Sequence, residues 1–455
     1  MLSSWTWRTA ERRIGIVGLA NSGKTVLLTS LLDHLHNHEP DRFRLGDANA
    51  PATLRKFRVV PVLAESTAFD FEQARKALGN DHRWPRKTKD RFEYACAFRR
   101  SDWRFNEAEL RFFDLPGERL ADAAMLGRSY AEWSDRWHQY TRDDSRQAAA
   151  SRVFLDSIAT GQDEVDVIAA YKLALGQAMA DYKSYVSPST FWLDPQGTLP
   201  NGLKAEELIA GRFAGLPGCE FAPLPAGVRA ARPALAAIFE SHFLRYRAEV
   251  VESYLQVLAE CHSLIVLVDV VGLLGAGTGA ANDYRRMLSD LFEVLQPGED
   301  MIGRITRAVS EALFQHRPRH VTKVAFAAPK IDLVHPADRD RVRHLLKSFV
   351  GKRAVEIDGL LTDFFTCAAV LSTEPMPGEA GARMLRGRRY RDAEGKRLPF
   401  GDAVKYPTSE VPPDWPAAWE AGAFNFPEVY PEVPEYRGIP PKQIGLDRLL
   451  DFAMD

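Results

Sequence analysis

GLANSGKT, residues 18–25, separates an apolar run from a helical pattern near the start of this 455-residue sequence. The run RIGIVG (13–18) is typical of a buried β-strand, and KTVLLTSLLDHLHNH (24–38) repeats apolar residues at helical spacing. Small residues between a strand and a helix let successive backbone N–H groups and the helix N-terminus point at negative charge. We therefore expect a phosphate-binding loop. Its predicted nucleotide contacts are Ala20, Asn21, Ser22, Gly23, Lys24, Thr25 and Val26.

A second signal lies in LRFFDLPGE, residues 110–118, where an apolar strand ends in Asp114. A carboxylate at this place can hold the water shell of Mg²⁺, and the Gly117 N–H can meet a γ-phosphate. The strand-like runs RFEYACAFRR (91–100) and AELRFFD (108–114) are joined too closely for a parallel crossover, which needs about a dozen residues. We therefore expect a hairpin, in a mostly parallel sheet with one antiparallel edge strand. A hairpin whose second strand carries DxxG resembles the translation-factor-related class of GTPases.

The hydrolytic groups are predicted around these two motifs. HRWPRKTKDRF (82–92) supplies Thr88 as a switch residue that completes the Mg²⁺ shell, with Thr67 as its rival. Glu118 directly follows DxxG, where many such enzymes hold a residue that orients water. A carboxylate there would lie near anionic phosphate, so we expect slow hydrolysis. The predicted catalytic residues are Lys24, Thr88 and Glu118, the metal ligands are Thr25, Thr88 and Asp114, and the candidate charge donors are Arg119 and Arg128.

The base is predicted to be recognised near KVAFAAPKIDLV, residues 323–334, where an apolar strand is followed by Lys330 and Asp332. In the guanine motif NKxD or TKxD the aspartate accepts two hydrogen bonds from guanine, and adenine would leave that buried carboxylate unpaired. Pro329 stands where the motif has Asn or Thr, so that side-chain contact is missing and the guanine preference is loosened. Further along, DFFTCAAVLSTEP (363–375) resembles the last base-contacting loop. Its predicted backbone contacts are Ala368 and Ala369.

Together these motifs resemble the YcjX-like family of bacterial stress-associated P-loop proteins. The resemblance covers most of the chain and includes GLANSGKT, WPRKT, FFDLPGE, KIDLV and the closing run FNFPEVYPEVPEYRGIPPKQIGLDRLLDFAMD. It implies a GTPase-like fold, binding of guanine nucleotides (GTP and GDP), and a role in a stress or envelope response. Pro329 departs from the guanine motif, so the resemblance does not extend to the side-chain contact at that position.

The order of the elements predicts an α/β P-loop NTPase with a doubly wound sheet and an α-helical insertion. Strands are expected at 263–270, 321–328 and 364–371, and helices at 281–296, 302–316 and 336–350. The insertion directly follows the DxxG loop, so we expect movement of that loop to be transmitted to the insertion. The insertion could in turn contact an unidentified protein partner. The predicted domains are 1–118 and 261–378 for the nucleotide-binding part, 119–260 for the helical insertion, and 379–455 for a basic hairpin and a Pro/aromatic-rich arm packed on the core.

Composition and charge argue against several other classes of protein. A net charge of −2 gives no bulk attraction to nucleic acid, and the arginine-rich run 382–397 is expected to be a solvated turn. The run SLIVLVDVVGLLGAG (263–277) is shorter than the ~20 apolar residues of a membrane span and contains an aspartate, so no integral membrane segment is expected. The four cysteines are far apart and form no CxxC pair, which predicts reduced thiols in a cytoplasmic protein. His34 and His38 have helical i, i+4 spacing but lack a third metal ligand.

These observations favour a Mg²⁺-dependent GTPase or GTP-binding switch. Two alternatives stay open at this point. One is an ATPase or a P-loop kinase-like phosphotransferase, and the other is a nucleotide-binding interaction module without significant hydrolysis.

Overall fold

The computed structural model describes residues 10–19, 21–47, 49–64, 66–85, 92–103, 107–115, 117–182, 186–191, 219–295, 321–351, 360–392, 396–435 and 438–454. The chain forms two compact units. The first consists of Met1–Leu115, Glu260–Thr278 and Arg319–Asp455, and the second of Pro116–Ala259 and Gly279–Pro318. The segment Gly279–Pro318 therefore belongs with the helical unit, whereas the sequence pattern assigns it to the nucleotide-binding part. The helix predicted at 302–316 lies outside the described residues.

The first unit is built on an eight-stranded mixed sheet among the described residues. The strands are β1 Ala10–Gly18, β2 Gly46–Asp47, β3 Ala50–Pro51, β4 Leu54–Val60, β5 Thr67–Ala68, β6 Phe92–Arg100, β7 Ala108–Asp114, β8 Ser263–Leu267, β9 Lys323–Ala328 and β10 Leu361–Thr366. Their order in the sheet is β10-β9-β8-β1-β7-β6-β4, and β5 pairs with β6. Neighbouring strands from β10 to β7 are parallel, as expected. The short strands β2 and β3 pair only with each other within the described part.

The antiparallel strand is not at the edge, and this part of the fold prediction is corrected. β6 and β7 form the predicted hairpin, but β4 pairs antiparallel with the outer side of β6 and takes the edge. Charged residues interrupt the β4 sequence LRKFRVV, so it lacks the apolar signature of a buried strand. Lys56 adopts a positive φ of 57°, and the pairing register shifts between Arg55 and Arg58. A bulge with exposed cations is typical of an edge strand.

Among its described residues, the helices of the first unit are α1 Lys24–His36, α2 Phe71–Gly79, α10 Val270–Ala276, α12 Arg339–Val350 and α13 Leu446–Met454. α13 carries buried leucines that join the same apolar core as Ile14 and Ile16 of β1 and Leu28 of α1. Its amphipathic sequence LDRLLDFAM explains this placement, because the leucines repeat at helical spacing on one face.

A small antiparallel sheet follows in the same unit, in the order β11-β12-β13. Its strands are β11 Glu374–Met376, β12 Met384–Gly387 and β13 Val404–Pro407. Four arginines of the basic run (382–397) lie beside carboxylates. The pairs are Arg383 with Asp338, Arg386 with Glu374, Arg388 with Glu432, and Arg391 with Glu428.

The aromatic-rich segment that follows packs along the first unit. The Trp84 indole Nε1 donates to the Val429 carbonyl over 2.9 Å, and the Trp419 Nε1 donates to the Leu274 carbonyl over 2.9 Å. Further contacts come from Arg75 in α2, whose guanidinium donates to the carbonyls of Pro434 and Ile439. Trp84 and Arg75 thus satisfy backbone carbonyls of this segment, which we call the C-terminal arm (residues 408–445), and Trp419 of the arm donates back to α10.

The second unit is helical among its described residues. A 3₁₀ segment, Gly117–Met125, precedes α3, whose N-terminus is closed by a capping box between Ser129 and Glu132. The helices are α3 Tyr130–Asp143, α4 Ser145–Ala150, α5 Arg152–Ala159, α6 Glu164–Tyr182, α7 Ala226–Ala231, α8 Pro233–Tyr246, α9 Ser253–Ala259 and α11 Thr278–Leu295, with a π-helical turn at Arg247–Glu252. Burial raises the pKa of Asp122, whose carboxylate accepts hydrogen bonds from Ser189 and Tyr246.

The four cysteines are free and buried, in agreement with the absence of a disulfide framework. None of the helices in the described part of the chain is both long and apolar enough to cross a membrane.

Candidate functional site

The predicted phosphate loop lies between the end of β1 and the start of α1. Gly23, directly before α1, has a φ of +91°, and Asn21 has a φ of +64°. These left-handed conformations turn the backbone sharply, and they suit glycine and asparagine best. Gly18 is required for another reason, because a Cβ there would lie 2.9 Å from the Leu267 carbonyl oxygen of β8. The loop is therefore packed against the neighbouring strand. Ala20 lies outside the described residues.

Lys24 and Ser22 are the buried polar side chains of the predicted phosphate loop. Lys24 is buried, and its Nζ donates to the carbonyls of Gly18 over 2.7 Å and Leu19 over 3.1 Å. The Ser22 hydroxyl is buried and has no hydrogen-bond partner among the described residues. A buried hydroxyl without a partner costs free energy, and a phosphate oxygen would satisfy it. The loop thus offers a cation, a free hydroxyl and a helix N-terminus to an anion.

Thr25 and Asp114, two of the predicted metal ligands, lie next to each other. Parallel pairing of β1 with β7 places Ile16 opposite Asp114, so the end of β7 lies beside the phosphate loop. The Thr25 hydroxyl donates to Asp114 Oδ2 over 3.3 Å, and Asp114 is fully buried. A hydroxyl and a carboxylate are hard oxygen donors, and Mg²⁺ is commonly held by one or two such groups together with phosphate oxygens. These residues fit that ion.

The remaining predictions around the metal concern Thr88, Glu118, Gly117, Arg128 and Thr67. Thr88 lies outside the described residues, as does the Glu118 side chain. Gly117 begins the 3₁₀ segment of the second unit, where Arg128 pairs with Asp290. The rival switch residue Thr67 is exposed in β5 and pairs with Phe92 of β6.

The predicted base-binding residues follow β9. Lys330 has a left-handed φ of +61°, and its Nζ lies 2.5 Å from Asp269 Oδ2. Asp332 is only 5% exposed and accepts a hydrogen bond from the Ser372 backbone N–H over 3.3 Å. Burial raises the pKa of Asp332 to about 6, against the opposing effect of the Ser372 N–H. The carboxylate therefore lies in a poorly solvated position.

Ala368 and Ala369 lie in the loop after β10, beside this carboxylate-bearing loop. The Ala368 N–H and C=O both bond to Ile444 of the C-terminal arm, each over 2.9 Å. The Ala369 carbonyl accepts from the Ser30 hydroxyl of α1 over 2.6 Å. Val26 packs in an apolar cluster with Val370 and Val433. The loop is thus tied to both the phosphate-loop helix and the C-terminal arm.

Sequence reasoning missed Ser30, Asp269 and Ser372 at this site. Ser30 sits among apolar residues of α1 and carries no motif. Asp269 directly follows the apolar run of β8, and an acid at the end of a parallel strand is the signal that identifies it.

Comparison with known proteins identifies the family of this chain. The sequence profile of the YcjX-like family, DUF463, matches residues 12–455. The chain belongs to this family. It is 25% identical over 475 aligned residues to "Ras-like GTPase YcjX" of Escherichia coli (strain K12), covering 97% of this chain and 95% of that protein. It is 23% identical over 480 aligned residues to "Ras-like GTPase YcjX" of Shewanella oneidensis (strain MR-1), covering 97% and 93%. The resemblance drawn from the motifs is confirmed, and the mostly parallel α/β sheet is compatible with a P-loop GTPase-like fold.

Proposed function

We propose that this chain is a Mg²⁺-dependent guanine-nucleotide-binding protein that hydrolyses GTP slowly and acts as a switch in a bacterial stress or envelope response. One observation carries the molecular part of the proposal. Lys24 in a strand-to-helix loop, Thr25 beside Asp114, and the buried Asp332 all belong to one compact unit built on one sheet. The names of the two relatives support a GTPase, and the stress or envelope role rests on the family resemblance.

Phosphate binding follows from the loop. The Lys24 ammonium exchanges the Gly18 and Leu19 carbonyls for β- and γ-phosphate oxygens, and the Ser22 hydroxyl gains an acceptor. Thr25 and Asp114 would hold Mg²⁺, which when bound neutralises phosphate charge. The loop N–H groups and the N-terminus of α1 orient the chain of phosphates.

Base selection rests on Asp332. An ionised carboxylate accepts from two donors at once, and guanine presents that pair while adenine does not. Because Asp332 is buried, adenine would leave its charge without the two donors that guanine supplies, which costs binding free energy. Pro329 has no side-chain amide or hydroxyl to support the loop, so the discrimination is expected to be weaker than that of a complete NKxD motif.

Hydrolysis is proposed to be slow because Glu118 is the group next to DxxG. A carboxylate repels the anionic phosphate that the attacking water must approach, and it lacks the amide N–H groups that position water in many GTPases. The helical unit begins directly after Leu115, so the chain itself connects the Asp114 loop to that unit. This connection is the route by which the nucleotide state would reach a partner protein.

The test is a base-specificity exchange at Asp332. Xanthine carries a carbonyl where guanine carries its exocyclic amine, so an amide at position 332 can donate to it. We expect wild-type protein to bind GTP more tightly than ATP or XTP, and Asp332→Asn to prefer XTP. Binding is measured by competition against a fluorescent GDP, with Lys24→Ala as the control that loses every nucleotide.

Each alternative has its own outcome. Equal or tighter binding of ATP by the wild type would refute the Asp332 assignment and favour an ATPase or phosphotransferase. Nucleotide that remains intact for hours with Mg²⁺ while raising thermal stability would favour a binding module over a GTPase.

Thr25→Ala is expected to abolish the Mg²⁺ dependence of GTP affinity while leaving binding without Mg²⁺ unchanged.

A further inference from the structure

Asp269 joins two elements that meet at the proposed base site. It follows β8, and Lys330 follows β9, which is the parallel neighbour of β8 with Leu267 opposite Ala327. The Val268 N–H donates to the Ala327 carbonyl over 2.9 Å, which fixes the two strand ends side by side. The acid and the lysine are therefore brought together by the sheet, although they are 61 residues apart in the chain.

Each oxygen of the Asp269 carboxylate has a separate contact. Oδ1 accepts from the Gly272 N–H over 2.8 Å and caps α10. Oδ2 lies 2.5 Å from Lys330 Nζ. A Cβ at Gly272 would lie 2.6 Å from Oδ2, so the missing side chain leaves room for this arrangement. The helix cap thus holds the carboxylate in one orientation, and the second oxygen is directed at the lysine.

The lysine it holds is in an unusual backbone conformation. Lys330 has φ +61°, which is unfavourable for a residue with a side chain, and the residue before it is Pro329. Proline has no N–H and no side-chain donor or acceptor, so the loop lacks the support that Asn or Thr supplies in the guanine motif. An ion pair to a neighbouring strand can supply that support instead.

We propose that Asp269 is a positioning residue that orients Lys330 along the face of a bound guanine and replaces the side-chain contact that Pro329 lacks. The inference rests on the proposed function, because it assigns a role at the same nucleotide site. The Lys330 side chain is 36% exposed and that of Asp269 17%, so the pair is partly screened by solvent. Its effect on binding is therefore modest and specific to the base.

The matched variants are Asp269→Asn and Lys330→Met. The amide oxygen of Asn still caps the Gly272 N–H but carries no charge for the lysine, and Met keeps an unbranched stem without the ammonium. We expect each variant to weaken GDP binding about three- to tenfold. The double variant is expected to be no weaker than Lys330→Met alone, because the two side chains act as one unit. Affinity for pyrophosphate, which has no base, is expected to be unchanged in all three.

Three results would each overturn the inference. Wild-type GDP affinity in Asp269→Asn, equal weakening of GDP and pyrophosphate, or additive effects in the double variant would each refute it. If Asp269→Asn does not fold, as judged by thermal unfolding, Lys330→Met alone decides: unchanged GDP affinity overturns the inference.

The proposed function is separated by its own controls. GDP binding by the wild type that is lost in Lys24→Ala supports that function whatever Asp269→Asn shows. Absence of GDP binding by the wild type would refute both.

Discussion

Arg75 connects the phosphate-loop helix to the C-terminal arm, and its removal gives the most direct test of how the first unit is held together. Its Nε lies 2.5 Å from Asp33 Oδ2 of α1, and both side chains are almost completely buried. Its second terminal nitrogen donates to the Pro434 carbonyl over 2.8 Å and to the Ile439 carbonyl over 3.2 Å. Arg75→Met keeps the length and apolar stem of the side chain and removes all of these contacts.

The expected loss comes mainly from the charge left behind. Breaking a buried ion pair by removing one partner costs about 3 to 5 kcal/mol, because the other charge stays buried. In Arg75→Met/Asp33→Leu no charge is left behind, and an apolar pair in place of a buried ion pair is close to neutral. The two arm carbonyls still lose their donor, so the double variant is expected to lose about 1 to 3 kcal/mol.

The sign of the pH dependence follows from Asp33. Burial raises its pKa, and Arg75 opposes that shift. A raised folded-state pKa contributes stability that is present below the unfolded value of about 3.9 and is lost as pH rises through the folded value. Removing Arg75 increases this effect, so Arg75→Met is expected to be less destabilised at pH 4 than at pH 8.

The measurements are urea unfolding and hydrogen exchange of the arm. Amides that bond to the arm, such as those of Ala368 and Leu371, should exchange faster in both variants than in the wild type. Arg75→Met with stability within about 1 kcal/mol of the wild type would refute the reasoning, since a buried unpaired charge must cost more. A double variant as unstable as the single one would contradict the assignment of the loss to Asp33.

Three further results are expected. Gly18→Ala places a methyl group 2.9 Å from the Leu267 carbonyl oxygen and should cost about 1 to 3 kcal/mol in thermal unfolding, whereas wild-type stability would show that the strands can separate. GDP affinity should fall as pH drops below about 6, because protonation of Asp332 removes a hydrogen-bond acceptor for the base. The same raised pKa contributes folding stability that is present below about pH 3.9 and is lost as pH rises through about 6. A GDP affinity that stays constant between about pH 5 and 8 would argue against a role of this carboxylate. Trp84→Phe removes the donor to the Val429 carbonyl and should cost about 1 kcal/mol, with faster hydrogen exchange in that part of the arm as the readout.

The local parts of the fold and site were predictable because their signals are short. A strand, a small-residue turn and a helix lie next to each other in GLANSGKT, and the hairpin ending in Asp114 follows from one short connection. The family assignment rested on such motifs and is confirmed.

The remaining parts depend on pairings between distant residues. β4 escaped notice because an edge strand with Arg55, Lys56 and Arg58 has no apolar periodicity. The bonds between Ala368 and Ile444 join segments that no local pattern relates. The Asp269–Lys330 pair exists only because β8 and β9 are neighbours, which the sequence order alone does not determine. The roles of the predicted site residues, Thr88 and Glu118 among them, stay predictions.

The position of α13 has a consequence for how the protein is made. Its buried face completes a core to which β1 also contributes, and the Arg12 Nε donates to the Met454 carbonyl across 442 residues of chain. Domains generally fold as units during synthesis, from the N-terminal end onward. Here β1 and the phosphate loop emerge from the ribosome early, and the core around them keeps part of its apolar surface uncovered until α13 has been translated. The nascent chain is therefore expected to need chaperone protection during that interval, and premature termination before α13 should yield an aggregating product.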